Sequence, residues 1–315
     1  MIAHEFPDLQ WLKTQIAQRF RNLRGTGNLP LEAEGFPNYV INTRKKNVYR
    51  PDIMGPISLF LNVSGTSRCS VDGRMVSINE DHYFITNRFQ NYTLEIENQT
   101  PTETFNIHIG EYFSEQLLAG MMHTSDTLLN QGKQLAVPTV AFHNRLYKRD
   151  AVFDQLIHAL KNSKQDQRFD KLLFEERLAA ILLHLLAQHR NLLKEIADMP
   201  PLKASTKLEL YKKLALAVDY IHAYYFQPIE LDELANAACL SKFHFLRLFK
   251  HVYHVSPYQY IQQLRMEKGE TLLKNTNLQV ADIAVMLGFD NSNSFSRLFS
   301  QRKGVYPSQY RELVN

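Results

Sequence analysis

The stretch Gly288–Gly304, GFDNSNSFSRLFSQRKG, holds no Cys, no His and a single carboxylate, Asp290. Covalent, acid–base or metal chemistry needs such groups to converge, so hydrogen bonding by amides, hydroxyls and guanidinium is what remains. Helical spacing sorts those groups. With Phe295, Leu298 and Phe299 on a buried face, Asn293, Ser296, Arg297 and Ser300 turn outward. Arg bonding bidentately to guanine, Asn to adenine and Ser to either edge is the chemistry of reading bases in a DNA major groove. One such helix alone would be ordinary solvated surface. A second copy changes that.

The second copy lies upstream. LDELANAACLSKFHFLRLFK (231–250) aligns with VADIAVMLGFDNSNSFSRLFS (280–300), pairing Leu234 with Ile283 and Ala235 with Ala284 at an offset of 49. One extra residue enters the turn, and the offset becomes 50 through Phe245/Phe295, Arg247/Arg297, Phe249/Phe299, Pro257/Pro307 and Tyr260/Tyr310. A register kept over that length is an internal duplication. Each copy reads as helix, tight turn and second helix. The turns are marked by Cys239-Leu240-Ser241 and by Gly288, with Ser241 as an expected N-cap. Between the copies, SPYQYIQQLRMEKGETLL (256–273) reads as one long helix, with Ser256 as N-cap, Pro257 at its first position and Gln259 closing a capping box. A rigid helix there would hold two recognition helices about 34 Å apart, one turn of DNA.

Composition supports a globular chain and excludes several classes. The 315 residues are 44% hydrophobic and 22% charged, enough for two or three cores. Cys69 and Cys239 are too far apart for a disulfide framework or a CxxC site, which fits a reducing compartment. The N-terminus lacks a basic start followed by an apolar run, and the longest apolar run, LAAILLHLLA (178–187), is half a membrane span. A cytoplasmic protein is therefore expected, with no membrane partner. The net charge is only +4, so the case for nucleic acid rests on where the charges sit.

Residues from about 210 to 313 resemble the DNA-binding domain of the AraC/XylS family of transcription regulators. The resemblance is carried by Ile283, Ala284, Gly288-Phe289, Phe295, Arg297, Phe299, Gly304, Pro307 and Tyr310-Arg311. It implies recognition helices over 242–252 and 292–303. By position it implies base contacts from Phe243, Leu246 and Arg247 in the first unit, and from Asn291, Ser292, Asn293, Ser296 and Arg297 in the second. Lys242, Lys250, Arg302 and Lys303 are read as phosphate contacts. Two positions depart from the family pattern. Leu246 is often polar there, which leaves hydrogen-bond readout in the first unit to Arg247, with Phe243 and Leu246 limited to thymine methyls. Gly269 stands where the family usually has alanine, at a cost of about 1 kcal/mol in helix propensity.

Before that domain the texture changes to short alternating runs from about 57 to 109: ISLFLNV, RCSVDGRMVSI, DHYFITN, YTLEIEN and TFNIHIG. Asp72-Gly73 is a two-residue hairpin signal, and strands at this spacing argue for a barrel or sandwich. The family's N-terminal domains are often cupin-like barrels, and NEDHYFITN resembles the segment of that fold written PGD followed by a strand. Enzymatic cupins place an HxH and Glu cluster with a later His around a metal. Here His82 and His108 stand without either pairing, which argues against a metal or other cofactor and makes His108 an interior hydrogen-bonded residue. Arg68, Arg88, Tyr39, Tyr83 and Tyr92 could recognise a carboxylate or sugar, and none of them identifies an effector. Further on, Leu178, Leu182, Leu185, His189, Leu192 and Ile196 alternate spacings of four and three, a heptad seam. One side of that helix is expected to pack on the barrel and the other to meet a second subunit.

The expected fold class is therefore α+β. An N-terminal cupin-like β-barrel with a helical dimerisation segment precedes an all-α domain of two helix-turn-helix units joined by a long helix. The expected boundaries are 1–140 for effector sensing, 141–200 for dimerisation, 201–209 for a linker ending the PPLKASTK stretch, and 210–315 for DNA binding. The function implied is a homodimeric regulator, activating rather than repressing, that binds double-stranded promoter DNA and carries no catalytic site. A small-molecule effector and RNA polymerase are candidate partners. The rivals are a metal-dependent cupin enzyme fused to a DNA-binding module, and a regulator controlled by a protein partner without a ligand.

Overall fold

The computed structural model describes residues 2–22, 35–122, 140–162, 171–199 and 204–314; the Pro200-Pro201 helix stop lies outside them. The chain divides into two compact units, Met1–Leu192 and Leu193–Asn315. No helix among the described residues is long and apolar enough to cross a membrane.

The first unit is built on two long strands, β2 (Tyr39–Met54) and β7 (Asn91–Ile109), which pair antiparallel along almost their whole length. Register shifts between Lys45 and Asn47 and between Arg50 and Ile53 bend the pair, as bulges do. Across those bends β7 serves two neighbours. Its first half pairs with β4 (Ser67–Val71) and its second half with β3 (Ile57–Ser64). β5 (Arg74–Ile78) continues from β4 through the Asp72-Gly73 turn, where both residues have positive φ. That is the two-residue hairpin the sequence predicts. β6 (His82–Thr86) pairs with β3, and the short β8 (Leu146–Lys148) pairs with β6. At the other edge, β1 (Ile2–Ala3) lies parallel to β2.

The hydrogen-bonded path therefore runs β1-β2-β7-β3-β6-β8 and stays open. The closed barrel expected from the sequence is not formed along it, because the edges are strands of two and three residues with no ladder between them. YTLEIEN and TFNIHIG, read separately in the sequence, join as the single bent strand β7.

Both faces of this sheet are buried, which the alternation in β3 and β6 shows. Phe60 and Phe84 point into one cluster with Cys69, Val76, Leu94 and Ile16 of helix α1 (Leu9–Asn22). Leu59, Leu61, Tyr83 and Ile85 point into the other, with Phe105 and Ile107. Helix α2 (Glu111–Met122) follows β7. The second cluster is completed by Phe153, Ile157 and Leu160 of α3 (Ala151–Lys161) and by Phe174, Leu178, Ile181, Leu182 and Leu185 of α4 (Lys171–Ala197). The first part of the heptad seam is thus core. Leu178, Leu182 and Leu185 are buried in the core of the first unit, so over this part of the helix the periodicity that suggested a subunit contact reflects a helix packed on its own sheet.

Replacing Leu178, Leu182 and Leu185 together by Gln should therefore unfold the first unit rather than release folded monomers. Emptying one such site costs about 2–5 kcal/mol, against a domain stability of about 5–15 kcal/mol. A triple variant that keeps its circular dichroism and cooperative melt would contradict the core assignment.

Candidate DNA-binding site

The second unit opens with α5 (Ala204–Tyr224), followed by the first helix pair, α6 (Leu231–Ala237) and α7 (Lys242–Tyr253). The long α8 (Pro257–Asn275) leads to the second pair, α9 (Val280–Met286) and α10 (Ser292–Lys303), and α11 (Pro307–Val314) closes the unit. The duplication is visible hydrogen bond by hydrogen bond. The Leu240 N–H donates to the Ala235 carbonyl at 2.9 Å, and the Phe289 N–H to the Ala284 carbonyl at 3.0 Å. Cys239 and Gly288 hold the same left-handed conformation, φ 48 and 76. The register change from 49 to 50 therefore falls after Phe289, where Asp290 is added before the Asn291 cap. Both recognition helices end alike, on left-handed His254 and Gly304.

Each recognition helix exposes the face the sequence predicts. In α7, Phe245, Leu248 and Phe249 are buried, Phe243 is 88% exposed, Arg247 and Lys250 are exposed, and Leu246 is half-buried. Together with Ser241 and His244 they line a shallow concavity. In α10, Phe295 and Phe299 are buried, Asn293 and Arg297 are exposed, and Ser292, Ser296 and Leu298 are half-buried. Asn291 has a structural duty: its Oδ1 accepts the Ser294 N–H at 2.8 Å and caps α10. Ser241 occupies the equivalent cap without a side-chain bond, whereas the Ser256/Gln259 capping box of α8 forms as predicted.

The basic residues divide into two sets. Lys242 pairs with Asp232 at 2.6 Å across the first turn, and Lys303 pairs with Glu270. Arg247, Lys250, Arg297 and Arg302 have no ion-pair partner among the described residues. Phosphates would therefore meet Lys250 and Arg302 without breaking an internal pair.

What positions the two faces is a set of contacts the sequence reading missed. Arg265 of α8, only 8% exposed, donates from Nε to the Tyr225 carbonyl at 2.7 Å and from Nη2 to the Gln227 carbonyl at 2.9 Å, both just after α5. Its Nη1 donates to the Gly288 carbonyl at 2.9 Å, in the turn of the second pair, and its guanidinium lies 5.4 Å from the Phe289 ring centroid. Burial lowers its pKa, yet the group stays cationic. Gly288 is tightly enclosed here, since a Cβ would lie 2.5 Å from the Phe226 carbonyl oxygen. Nothing in QQLRMEKGE distinguishes this arginine from a solvated one.

Gly269 gains a reason in the same way. A Cβ on it would come within 2.8 Å of the Phe295 ring and 3.0 Å of Leu287, so its absence lets α8 pack directly on the second pair. One turn along, Glu270 accepts from Tyr310 Oη at 2.6 Å, from Lys274 Nζ at 3.0 Å and from Lys303 Nζ. Burial alone would raise the Glu270 pKa, but these hydrogen bonds and the Lys303 charge outweigh it and hold the group at about 2, below its ordinary 4.5. Arg311 donates to the Leu278 carbonyl at 2.6 Å. The C-terminal residues Tyr310 and Arg311 thus brace the second pair rather than face outward as readers.

Two outcomes follow. Arg265→Lys, which keeps the charge but not the three-way fork, should lower the stability of this unit by about 3–5 kcal/mol, because buried carbonyls lose their donors; an unchanged urea midpoint would contradict the role given to Arg265. The contribution of Glu270 has a depressed pKa, so it is fully present above about pH 4.5 and is lost as pH falls through about 2. Glu270→Gln should remove that part of the acid dependence, and an acid titration identical to the parent protein would exclude it.

Residues 234–313 match the sequence family described as Helix-turn-helix domain. The chain is 27% identical over 154 residues to the HTH-type transcriptional regulator AlkR of Acinetobacter baylyi, covering 49% of this chain and 48% of that protein. It is 33% identical over 162 residues to the MmsAB operon regulatory protein of Pseudomonas aeruginosa, covering 51% and 47%. Among solved structures, a Chromobacterium violaceum transcriptional regulator with an AraC-type DNA-binding domain matches at 26% identity and a TM-score of 0.31, over 32% of this chain and 91% of that one. The chain spans about half the length of the curated relatives it matches. Over residues 234–313 the chain thus resembles the helix-turn-helix domains of AraC-type transcription regulators.

Proposed function

We propose that this protein is a sequence-specific DNA-binding transcription regulator whose N-terminal unit senses a small molecule. The observation that carries the reading is the pair of matched recognition helices, each with an exposed arginine at the equivalent position, Arg247 and Arg297, free of internal ion pairs among the described residues. A guanidinium left unpaired on a convex helix face is available for the bidentate guanine contact. In the second unit Asn293 and Ser296 extend that readout, while Asn291 offers only what its capping role leaves. In the first unit Phe243 and Leu246 supply apolar contact to thymine methyls beside Arg247. Lys250 and Arg302 are the phosphate contacts, with Lys242 and Lys303 contributing only if DNA competes with Asp232 and Glu270.

The N-terminal unit is read as a cupin-like sensing domain in a broad sense, a bent sheet with both faces covered, and the protein as non-enzymatic, cytoplasmic and activating. A homodimer remains part of the proposal, its contact lying outside the buried α4 seam, and RNA polymerase is the partner an activator of this kind would engage. The names of AlkR and the MmsAB operon regulatory protein support regulation over enzymatic activity.

The test separates readout from positioning. Arg297→Ala should weaken binding to the cognate duplex by about 1–3 kcal/mol and relax preference at one base position. Arg302→Ala should weaken all sequences alike and reduce the salt slope by about one unit. An Arg297→Ala protein with unchanged discrimination between cognate and scrambled duplexes would remove Arg297 from the reading face.

A further inference from the structure

The inner face of the N-terminal sheet encloses a cavity with room for about one water, a free volume of about 10 Å³. Its polar lining comes from β2 and β7: Tyr39, Arg50, Tyr92, Asn106 and His108, set among apolar neighbours. Two of these are chemically unfinished. Arg50 Nη2 and Asn106 Nδ2 are both buried without a hydrogen-bond acceptor, and Asn106 is 2% exposed. Native proteins seldom leave buried donors unmet, and a charged one is the most costly to leave so.

The other polar groups sharpen the demand. His108 Nδ1 bonds Ser58 Oγ at 2.8 Å, and the ring stacks on Tyr39 with centroids 4.2 Å apart. Burial, then the nearby Arg50 charge, pushes the His108 pKa down to about 3, so the imidazole is neutral; among the described residues lining the cavity Arg50 alone is charged, with the Asp8 carboxylate acting on it from outside that lining. Burial raises the pKa of Tyr39 and Tyr92, which keeps both as phenols able to donate. A single cation with neutral donors around it in an apolar cavity matches one negative charge on a largely apolar body.

The rest of the lining indicates how such a molecule would enter. Phe6, Pro7 and Leu12 of the N-terminal segment fill the space beside Arg50, and the guanidinium lies 5.1 Å from the Phe6 ring centroid. That contact is a weak substitute for an ion pair. The segment is held by the two-residue β1 pairing with Ile2 in the core, by Leu9, Leu12 and Ile16 packed on the sheet, and by an exposed Lys45–Glu5 pair at 2.7 Å, of which the ion pair is a weak tether.

We propose that this cavity is the effector site, that it takes a small monocarboxylate with a ring-sized or short-chain apolar body, and that the carboxylate pairs with Arg50 and Asn106 while the body displaces Phe6. The proposal rests on reading the N-terminal unit as a sensing domain. Displacing Phe6 moves the segment that carries α1, so occupancy is coupled to the position of that helix.

Trp11, the chain's single tryptophan, sits on α1 beside the lining residue Leu12 and reports that movement. Full-length protein would be titrated with benzoate, phenylacetate, hexanoate and octanoate, and with the corresponding neutral amides, following Trp11 emission and the melting temperature. At least one carboxylate should bind with a Kd on the order of 1 mM or tighter and shift the emission, with its amide at least about tenfold weaker. Arg50→Gln should lose about tenfold or more in carboxylate affinity, and Phe6→Ala, which leaves the cation in place, should bind severalfold tighter. Binding by no carboxylate, equal binding of acid and amide, or a Phe6→Ala protein with weaker binding would each overturn the proposal. A mobility shift on the same samples keeps the two readings apart. Specific DNA binding without carboxylate binding sinks this site alone, and loss of DNA specificity in the parent protein sinks the regulator reading itself.

Discussion

Arg265 is the interaction on which the geometry of the DNA-binding unit depends. One guanidinium reaches the backbone that follows α5, at Tyr225 and Gln227, and the backbone of the second turn, at Gly288. Those two loops belong to opposite halves of the duplication. That bridge adds to the packing of α8 on both pairs, through Tyr260 against Phe249 in the first and Gly269 against Phe295 in the second. The planar fork of Arg satisfies three carbonyls from one buried charge, which a flexible ammonium cannot do. Gly288 completes the arrangement, because any Cβ there would strike the Phe226 carbonyl.

Around this bridge the two copies are alike in backbone and unlike in chemistry. Their turns share a left-handed conformation at the equivalent residue and an equivalent alanine carbonyl acceptor, and both recognition helices end on a left-handed cap. The second copy is further secured by Glu270, which gathers Lys274, Lys303 and Tyr310, and by close packing at Gly269. Its outer face is polar, with Asn293, Ser296 and Arg297. The first copy instead presents the exposed Phe243 and half-buried Leu246 next to Arg247. A rigid frame with two different faces suits an asymmetric target, in which one block is read mainly by hydrogen bonds and the other by shape and methyl groups.

Periodicity made the C-terminal unit legible, and partnership did not. Apolar residues at helical spacing, the 49-to-50 register change and the Ser256 capping box are local signals, and each corresponds to an element of the structure. Arg265 and Glu270 were hidden because a buried charge and a solvated one look the same until their acceptors, tens of residues away, are known. The N-terminal unit was harder. β2 escaped notice because Arg44, Lys46, Asn47 and Tyr49 on its exposed face mask the alternation of Ile41 and Thr43. The α4 seam shows the converse error. A spacing of four and three describes any helix with one buried stripe, and it cannot say whether a sheet of the same chain or a second chain covers that stripe. Of the five polar residues singled out as effector candidates, Tyr39 and Tyr92 reach the cavity. Arg68 is taken up by Glu95 and Glu97, Arg88 by Glu111 and Glu115, and Tyr83 stacks between Tyr147 and Phe153. Arg50, the residue that matters there, lies in the strand that was missed.

The central claim is that α8 and Arg265 make the two helix pairs one rigid reader. Footprinting on a target with five base pairs inserted between its two contact blocks tests it most directly, since half a turn carries one block to the far side of the duplex. The account predicts that one block loses protection and that affinity falls by at least the about 1–3 kcal/mol of one bidentate contact. Full protection of both blocks at unchanged affinity would contradict it.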